Sequence, residues 1–149
     1  TLTYRASVTT IPTDIVTNSL ITLTLGGNYK TVEASKFANK TNLKTLTIES
    51  GVTSIGASAF NGCSGINKTK YTGTTVTVDS WASIAFGDQY SNPTYHSKGL
   101  CINSDTAITS VEFGSDISKI NAYSFINCNG ITRVTIPSNI NSIGASAFS

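Results

Sequence analysis

Residues 45–63 read TLTIESGVTSIGASAFNGC and residues 133–149 read RVTIPSNINSIGASAFS, so the string SIGASAF occurs in both. A looser copy, SVEFGSDISKINAYSFINC, occupies 110–128. Self-similarity of this kind marks a repeat array and has to be read before local structure. Leu20, Leu43 and Ile66, then Ile108 and Ile131, open successive copies at a spacing of 23 residues. The exception is the 42-residue step from Ile66 to Ile108, which reads as one period plus 19 inserted residues. In the copies opened by Leu43, Ile108 and Ile131, positions 1, 4, 6, 10 and 13 are apolar, and position 14 is a small residue or Asn. Position 18 is Phe (Phe37, Phe60, Phe125, Phe148), and position 21 is often Cys. TLTYRASVTTIP from Thr1 falls on the same frame, so the chain starts and stops inside repeats. The expected division is a partial repeat over 1–19, repeats over 20–42 and 43–65, an enlarged repeat over 66–107, a repeat over 108–130 and a partial repeat over 131–149.

Each copy mixes two periodicities. Thr45, Leu46, Thr47 and Ile48 alternate polar and apolar side chains in a β-branched context, which predicts a short strand with one buried face. Ile55, Ala59 and Phe60 then recur at helical spacing, with Ser54 as N-cap and Gly62 as stop, which predicts a short helical turn. One strand and one helical turn per period make the coil of an α/β solenoid. A few buried apolar side chains cannot offset the entropy of ordering one whole repeat, so coils must stack, with strands pairing about 4.8 Å apart. The chain over 1–149 is then a single solenoid domain.

Composition narrows the function. The chain has 149 residues, of which 23 are Thr, 20 Ser and 13 Asn, and only 12% are charged. A hydrophobic share of 39% with a net charge of +2 argues against a disordered tail and against a nucleic-acid partner. No stretch approaches the roughly 20 apolar residues of a membrane span, so no membrane insertion is expected. The first residue is Thr1 rather than Met, which reads as a processed, excised or truncated form. One His and three widely spaced Cys offer no metal-ligand spacing. His96 lacks a nucleophile signature, and the eight carboxylates are scattered. No catalytic residue, metal or cofactor is expected. Cys63 and Cys128 share one inward position in coils separated by the enlarged repeat, too far apart for a disulfide, and read as small buried hydrophobes.

The pattern L-x-x-L-x-I-x-x-x-V-x-x-I-G-x-x-A-F-x-x-C, carried by Leu43, Leu46, Ile48, Val52, Ile55, Gly56, Ala59, Phe60 and Cys63, resembles the BspA-type leucine-rich repeat. The insertion, with Tyr71, Thr72, Gly73, Trp81, Ile84, Phe86, Gly87, Ser91, Asn92, Pro93, Leu100, Ile102 and Asn103, is similar to a longer unit that interrupts such arrays, YTG…W…I-x-FG…SNP…L-x-IN. The resemblance implies a leucine-rich-repeat right-handed superhelix with short strands and short helical turns. It also implies an extracellular or surface-attached array used in adhesion or protein recognition, without enzymatic activity. The second repeat departs from the pattern over Asn28 to Val32 and at Lys40, which predicts looser packing there.

A solenoid presents its outward strand positions at fixed spacing. Positions 3 and 5 place Thr22, Thr24, Thr45, Thr47, Lys68 and Lys70 on that face, with Thr1 and Thr3 before them. Ser110, Glu112, Arg133 and Thr135 follow in the later coils. Such a face suits a host or neighbouring-cell protein or glycan; the plainer alternative is that Thr is a good solvated strand residue. In the insertion, Tyr90, Tyr95 and His96 supply amphipathic rings for an interface, while Trp81 either joins Ile84 and Phe86 in a small core or anchors a partner. Leu2 and Tyr4 at one end, with Val134, Ile136 and Phe148 at the other, are candidates for head-to-tail stacking of chains into a filament.

Overall fold

The computed structural model describes residues 1–4, 9–12 and 16–149, apart from the side chains of Leu2, Thr3 and Tyr4. In chain order the elements are β1 (Leu2–Tyr4), β2 (Thr22–Leu25), β3 (Thr31–Val32), β4 (Thr45–Glu49), β5 (Ser54–Ile55), β6 (Lys68–Thr72), α1 (Val78–Ala82), β7 (Ala85–Phe86), α2 (Thr94–Ser97), β8 (Leu100–Ile102), β9 (Ser110–Glu112), β10 (Lys119–Ile120), β11 (Arg133–Thr135) and β12 (Ser142–Ile143). The longer strands are those expected from the Thr-Leu-Thr-Ile alternation, and in β2 and β4 every second residue is buried.

These strands form a parallel ladder in the order β1-β2-β4-β6-β8. Leu2 pairs with Leu23, Leu23 with Leu46 and Leu46 with Thr69, so the chain returns to the same rung after 21, 23 and 23 residues. A second ladder, β3-β5-β7, runs along another edge of the coil. There Val32, Ile55 and Phe86 point into the core, where they are buried. The molecule is a parallel β-solenoid, and its core is the set of inward Leu, Ile, Val and Phe side chains from successive coils. Phe37 stacks on Phe60 with centroids 5.6 Å apart and planes 8° from parallel, and Phe125 on Phe148 at 5.2 Å and 6°.

The helical turn expected in each repeat is not a helix. Ser54, read as an N-cap, lies in β5, and the following stretch consists of tight turns. Ser35, Ser58, Tyr123 and Ser146 have φ of 56, 57, 63 and 51°, while Asn39, Gly62 and Asn127, four positions after the first three of these, have 61, 72 and 55°. A left-handed residue every four positions ends each turn before an α-helix can propagate. The turns are stitched coil to coil instead: the amides of Ser35, Phe37 and Asn39 donate to the carbonyls of Ala57, Ala59 and Asn61 at 3.0, 2.9 and 2.7 Å. Helical spacing in the sequence arises because these paired turns also bring residues four apart to one side. The α-helices among the described residues, α1 and α2, both lie in the enlarged repeat.

Position 14 carries Gly in two repeats where successive coils approach closely. A Cβ on Gly56 would lie 2.6 Å from the Ala34 nitrogen, and one on Gly144 2.2 Å from that of Ala122. The second repeat, expected to be loose, is tightly filled: Tyr29 and Val32 are both fully buried, and the Tyr29 hydroxyl donates to Glu33. Tyr29 takes position 10, where the next repeat has the buried Val52.

The 42-residue interval is divided by a strand of its own. Thr69 pairs with Leu100, 31 residues on, and Val111, the next equivalent position and the partner of Val134, follows after only 11. The strand ladder breaks there, β9 pairing with β11 rather than with β8, and the second ladder breaks between β7 and β10. Side chains bridge the break. Trp81 is fully buried, its Nε1 donating to the Ser124 carbonyl at 2.7 Å, with Tyr71 and Phe86 rings 5.2 and 5.5 Å away. Trp81 therefore belongs to the core and is not an interface anchor. Buried Asn92 donates to the carbonyls of Tyr123 and Ser124 at 2.7 and 2.9 Å and accepts from the Thr94 amide at 3.0 Å.

Cys63, Cys101 and Cys128 are free and buried. The Cys63 thiol donates to the Phe37 carbonyl at 3.0 Å. Burial pushes the Cys128 thiol up to about 12, against a small opposing effect of the Thr94 hydroxyl, so it behaves as a neutral packing group.

Candidate functional site

The strand face is built as register requires. Thr22 lies beside Thr45 and Thr45 beside Lys68; Thr24 lies beside Thr47 and Thr47 beside Lys70. Parallel in-register pairing sets each row of outward side chains on one line across the coils. Thr22, Thr24, Thr45 and Thr47 are half-buried, leaving hydroxyls at the surface with few charges among them. A second panel follows the break, where Ser110 pairs with Arg133 and Glu112 with Thr135, all four exposed.

Lys68 and Lys70 are not the free cations that their strand position suggested. The loop after β8 brings Asp105 over β6, and its Oδ1 lies 3.2 Å from each of the two lysine nitrogens. Hydrogen bonds from Lys70 and Lys68 hold the Asp105 carboxyl below its usual range. Cys101 pairs in register with Lys70, an outward position, yet is only 4% exposed. Burial pushes its thiol up, while the nearby Lys68 and Lys70 charges oppose this and Asp105 adds to it. Nothing in the 23-residue pattern points to Asp105, because the loop carrying it has no counterpart in the regular repeats.

Tyr90, Tyr95 and His96 form one cluster. The Tyr90 and Tyr95 rings meet edge to face at 5.0 Å, and Tyr95 meets His96 likewise at 5.2 Å. His96 Nε2 lies 3.0 Å from the Phe60 carbonyl. A carbonyl only accepts, so that nitrogen carries a proton in the neutral ring. Burial lowers the His96 pKa, partly opposed by the same carbonyl. The cluster packs on the turn at Phe60, whereas the candidate threonines and lysines lie on the strand side, so the structure gathers the predicted residues into two surfaces.

A cleft of about 460 Å³ opens where the enlarged repeat parts the coils, lined by Ser50, Val52, Tyr71, Asp79, Asp116 and Ile117 among others. Both Asp79 oxygens lie 3.1 Å from the Gly114 nitrogen, which fixes that carboxylate against the next coil. Of the candidate self-assembly residues, the side chains of Leu2 and Tyr4 lie outside the described residues. Val134, Ile136 and Phe148 are 38%, 45% and 37% exposed, with Ile143 beside them at 50%. Among the described residues no His, Cys, Asp and Glu group suited to a metal ion occurs, and no helix is long and apolar enough to cross a membrane.

Stacked coils, a buried phenylalanine ladder and an outward hydroxyl face define a leucine-rich-repeat solenoid. The chain belongs to the family described as BspA type leucine rich repeat region, whose model matches six copies over residues 1–90 and 98–149. Among solved structures, it is similar to a leucine-rich repeat protein from Bacteroides ovatus, at 22% identity and a TM-score of 0.48, covering 87% of this chain and 28% of that one. It is also similar to the leucine-rich repeat protein of T. pallidum, at 13% identity and a TM-score of 0.43, covering 85% of this chain and 74% of that one. No curated protein matches the sequence. Repeats of this family serve generally as recognition modules, typically in surface-associated proteins.

Proposed function

We propose that the chain is a non-catalytic extracellular module that recognises a protein or glycan of a host or neighbouring cell through its strand face. The observation that carries this is the in-register pairing of Thr22 with Thr45 and Thr24 with Thr47 on an outward, weakly charged surface. Fixed hydroxyls at strand spacing donate and accept hydrogen bonds without the entropy cost of ordering a loop. Protein and glycan arrays probed with the labelled chain test it: saturable binding is expected, and Thr24→Arg with Thr47→Arg should weaken it about tenfold or more. Absence of any array binding, or binding indifferent to those substitutions, contradicts the proposal.

A second reading, end-to-end stacking into an extracellular filament, is favoured by the exposed Val134, Ile136, Ile143 and Phe148 on the last coil. Its expected signature is concentration-dependent growth in light scattering that Ile136→Asp abolishes; a monomer at every concentration rules it out.

A further inference from the structure

We infer that Lys68 and Lys70 form a binding site for an aspartate or glutamate side chain of a partner protein, occupied in this structure by the chain's own Asp105 as an internal competitor. The inference rests on the recognition role proposed for the strand face. Lys68 and Lys70 are two residues apart on one strand, so both ammonium groups stand on the same face. Both converge on a single oxygen, Oδ1 of Asp105, at 3.2 Å. Two adjacent cations repel each other, and an anion between them relieves that repulsion. The site is therefore formed around a carboxylate, and the carboxylate it holds is a peptide aspartate.

Asp105 is a weakly tethered occupant. Its side chain is 76% exposed, and it comes from the loop rather than from a strand. Residues 104–107 otherwise bond to themselves, the Ser104 hydroxyl donating to the Thr106 carbonyl at 2.7 Å. The Asp105 pairs with Lys68 and Lys70 join residues 104–107 to the sheet through side chains. Exposed ion pairs are weak and salt-sensitive, so an incoming carboxylate at high local concentration displaces this one readily. Thr45 and Thr47, in register beside the two lysines, supply hydroxyls for the flanking backbone of such a partner. Cys101, in register with Lys70 and only 4% exposed, lies near enough to Asp105 and both lysines to feel their charges, so its labelling serves as the reporter of loop displacement.

The test uses two readouts. In the first, thiol labelling of Cys101 is recorded as a pH–rate profile, whose plateau measures access and whose midpoint measures the thiol pKa. The plateau rate should rise with salt in the wild-type chain and already be raised, without salt dependence, in Asp105→Asn, while the buried Cys63 and Cys128 stay protected. In the second, a fluorescent peptide of alternating Asp and Gly is titrated against the chain, with an Asn-Gly peptide and an oligogalacturonate as comparators. Asp105→Asn should tighten binding of the Asp-Gly peptide about three- to tenfold, and Lys68→Gln with Lys70→Gln should abolish it. An unchanged Cys101 plateau in Asp105→Asn, equal binding of the Asn-Gly peptide, preference for the oligogalacturonate, or no gain in peptide affinity overturns the inference. Because the Thr24→Arg array result involves neither the loop nor the residues beside the two lysines, failure of this site and failure of the strand-face reading are told apart.

Discussion

Phe60 shows how one side chain supports several coils. It is fully buried, stacked on Phe37, with its amide donating to the Tyr90 carbonyl at 3.1 Å and its own carbonyl facing His96. Phe60→Ala removes the ring but keeps those backbone bonds, and should cost about 3–5 kcal/mol in denaturant unfolding. A loss below about 1 kcal/mol would mean that the ladder is not cooperative. His96 gives a pH signature at the same place. Burial holds its folded-state pKa below 6.5, so the unfolded chain takes up the proton first. Stability from this group is complete above pH 6.5 and falls as the pH drops through the folded-state pKa; His96→Gln, which keeps a donor for the Phe60 carbonyl, should flatten that part of a Tm-against-pH curve. Phe60 was legible in the sequence as the position-18 aromatic. The His96 contact was not, because it joins residues 36 apart across an irregular coil.

At the scale of elements, the regular repeats show where periodicity informs and where it misleads. Alternation in Thr45–Glu49 places β4 correctly, because strand burial has a period of two wherever one face is covered. The spacing of Ile55, Ala59 and Phe60 suggests a helix, but left-handed residues at Ser58 and Gly62 convert it to paired turns. Ser58 in that conformation is set by the inter-coil bonds around it, which a single repeat does not display. The insertion motif acquires a physical reading. Asn103 Oδ1 accepts from the Gly73 amide at 3.1 Å while its Nδ2 donates to the Gly73 carbonyl at 2.9 Å, joining the YTG and IN ends of the unit. Asn92 of the SNP triplet braces the broken ladder. Asn92→Ala should cost about 2–4 kcal/mol, since it leaves the buried Thr94 amide without its acceptor and takes one donor from each of the Tyr123 and Ser124 carbonyls, and Asn103→Ala, at an exposed site, about 1 kcal/mol; thermal melts of the two variants check the order. Gly56→Val, whose Cβ would meet the Ala34 backbone at 2.6 Å, should force the coils apart and cost more than about 2 kcal/mol, measured by urea unfolding.

The whole molecule is a stack interrupted once. Two panels of outward strand residues, one Thr-rich and one carrying Glu112 and Arg133, are separated by the enlarged repeat, whose loop lays Asp105 across Lys68 and Lys70. The candidate threonines were legible because outward positions follow directly from the 23-residue register. Division of the face was not, because it depends on where a 42-residue interval places its additional strand. Turn-side and strand-side surfaces are both exposed and polar, so a matched arginine scan separates them most directly. Thr24→Arg and Thr47→Arg on the strand side, and Asn61→Arg on the turn side, are compared for binding to the array ligand, with thermal melts confirming that each variant is folded. Recognition through the strand face predicts that the two threonine variants each lose about tenfold or more in affinity while Asn61→Arg binds like the parent chain. Equal losses on both sides, or loss only in Asn61→Arg, would contradict it.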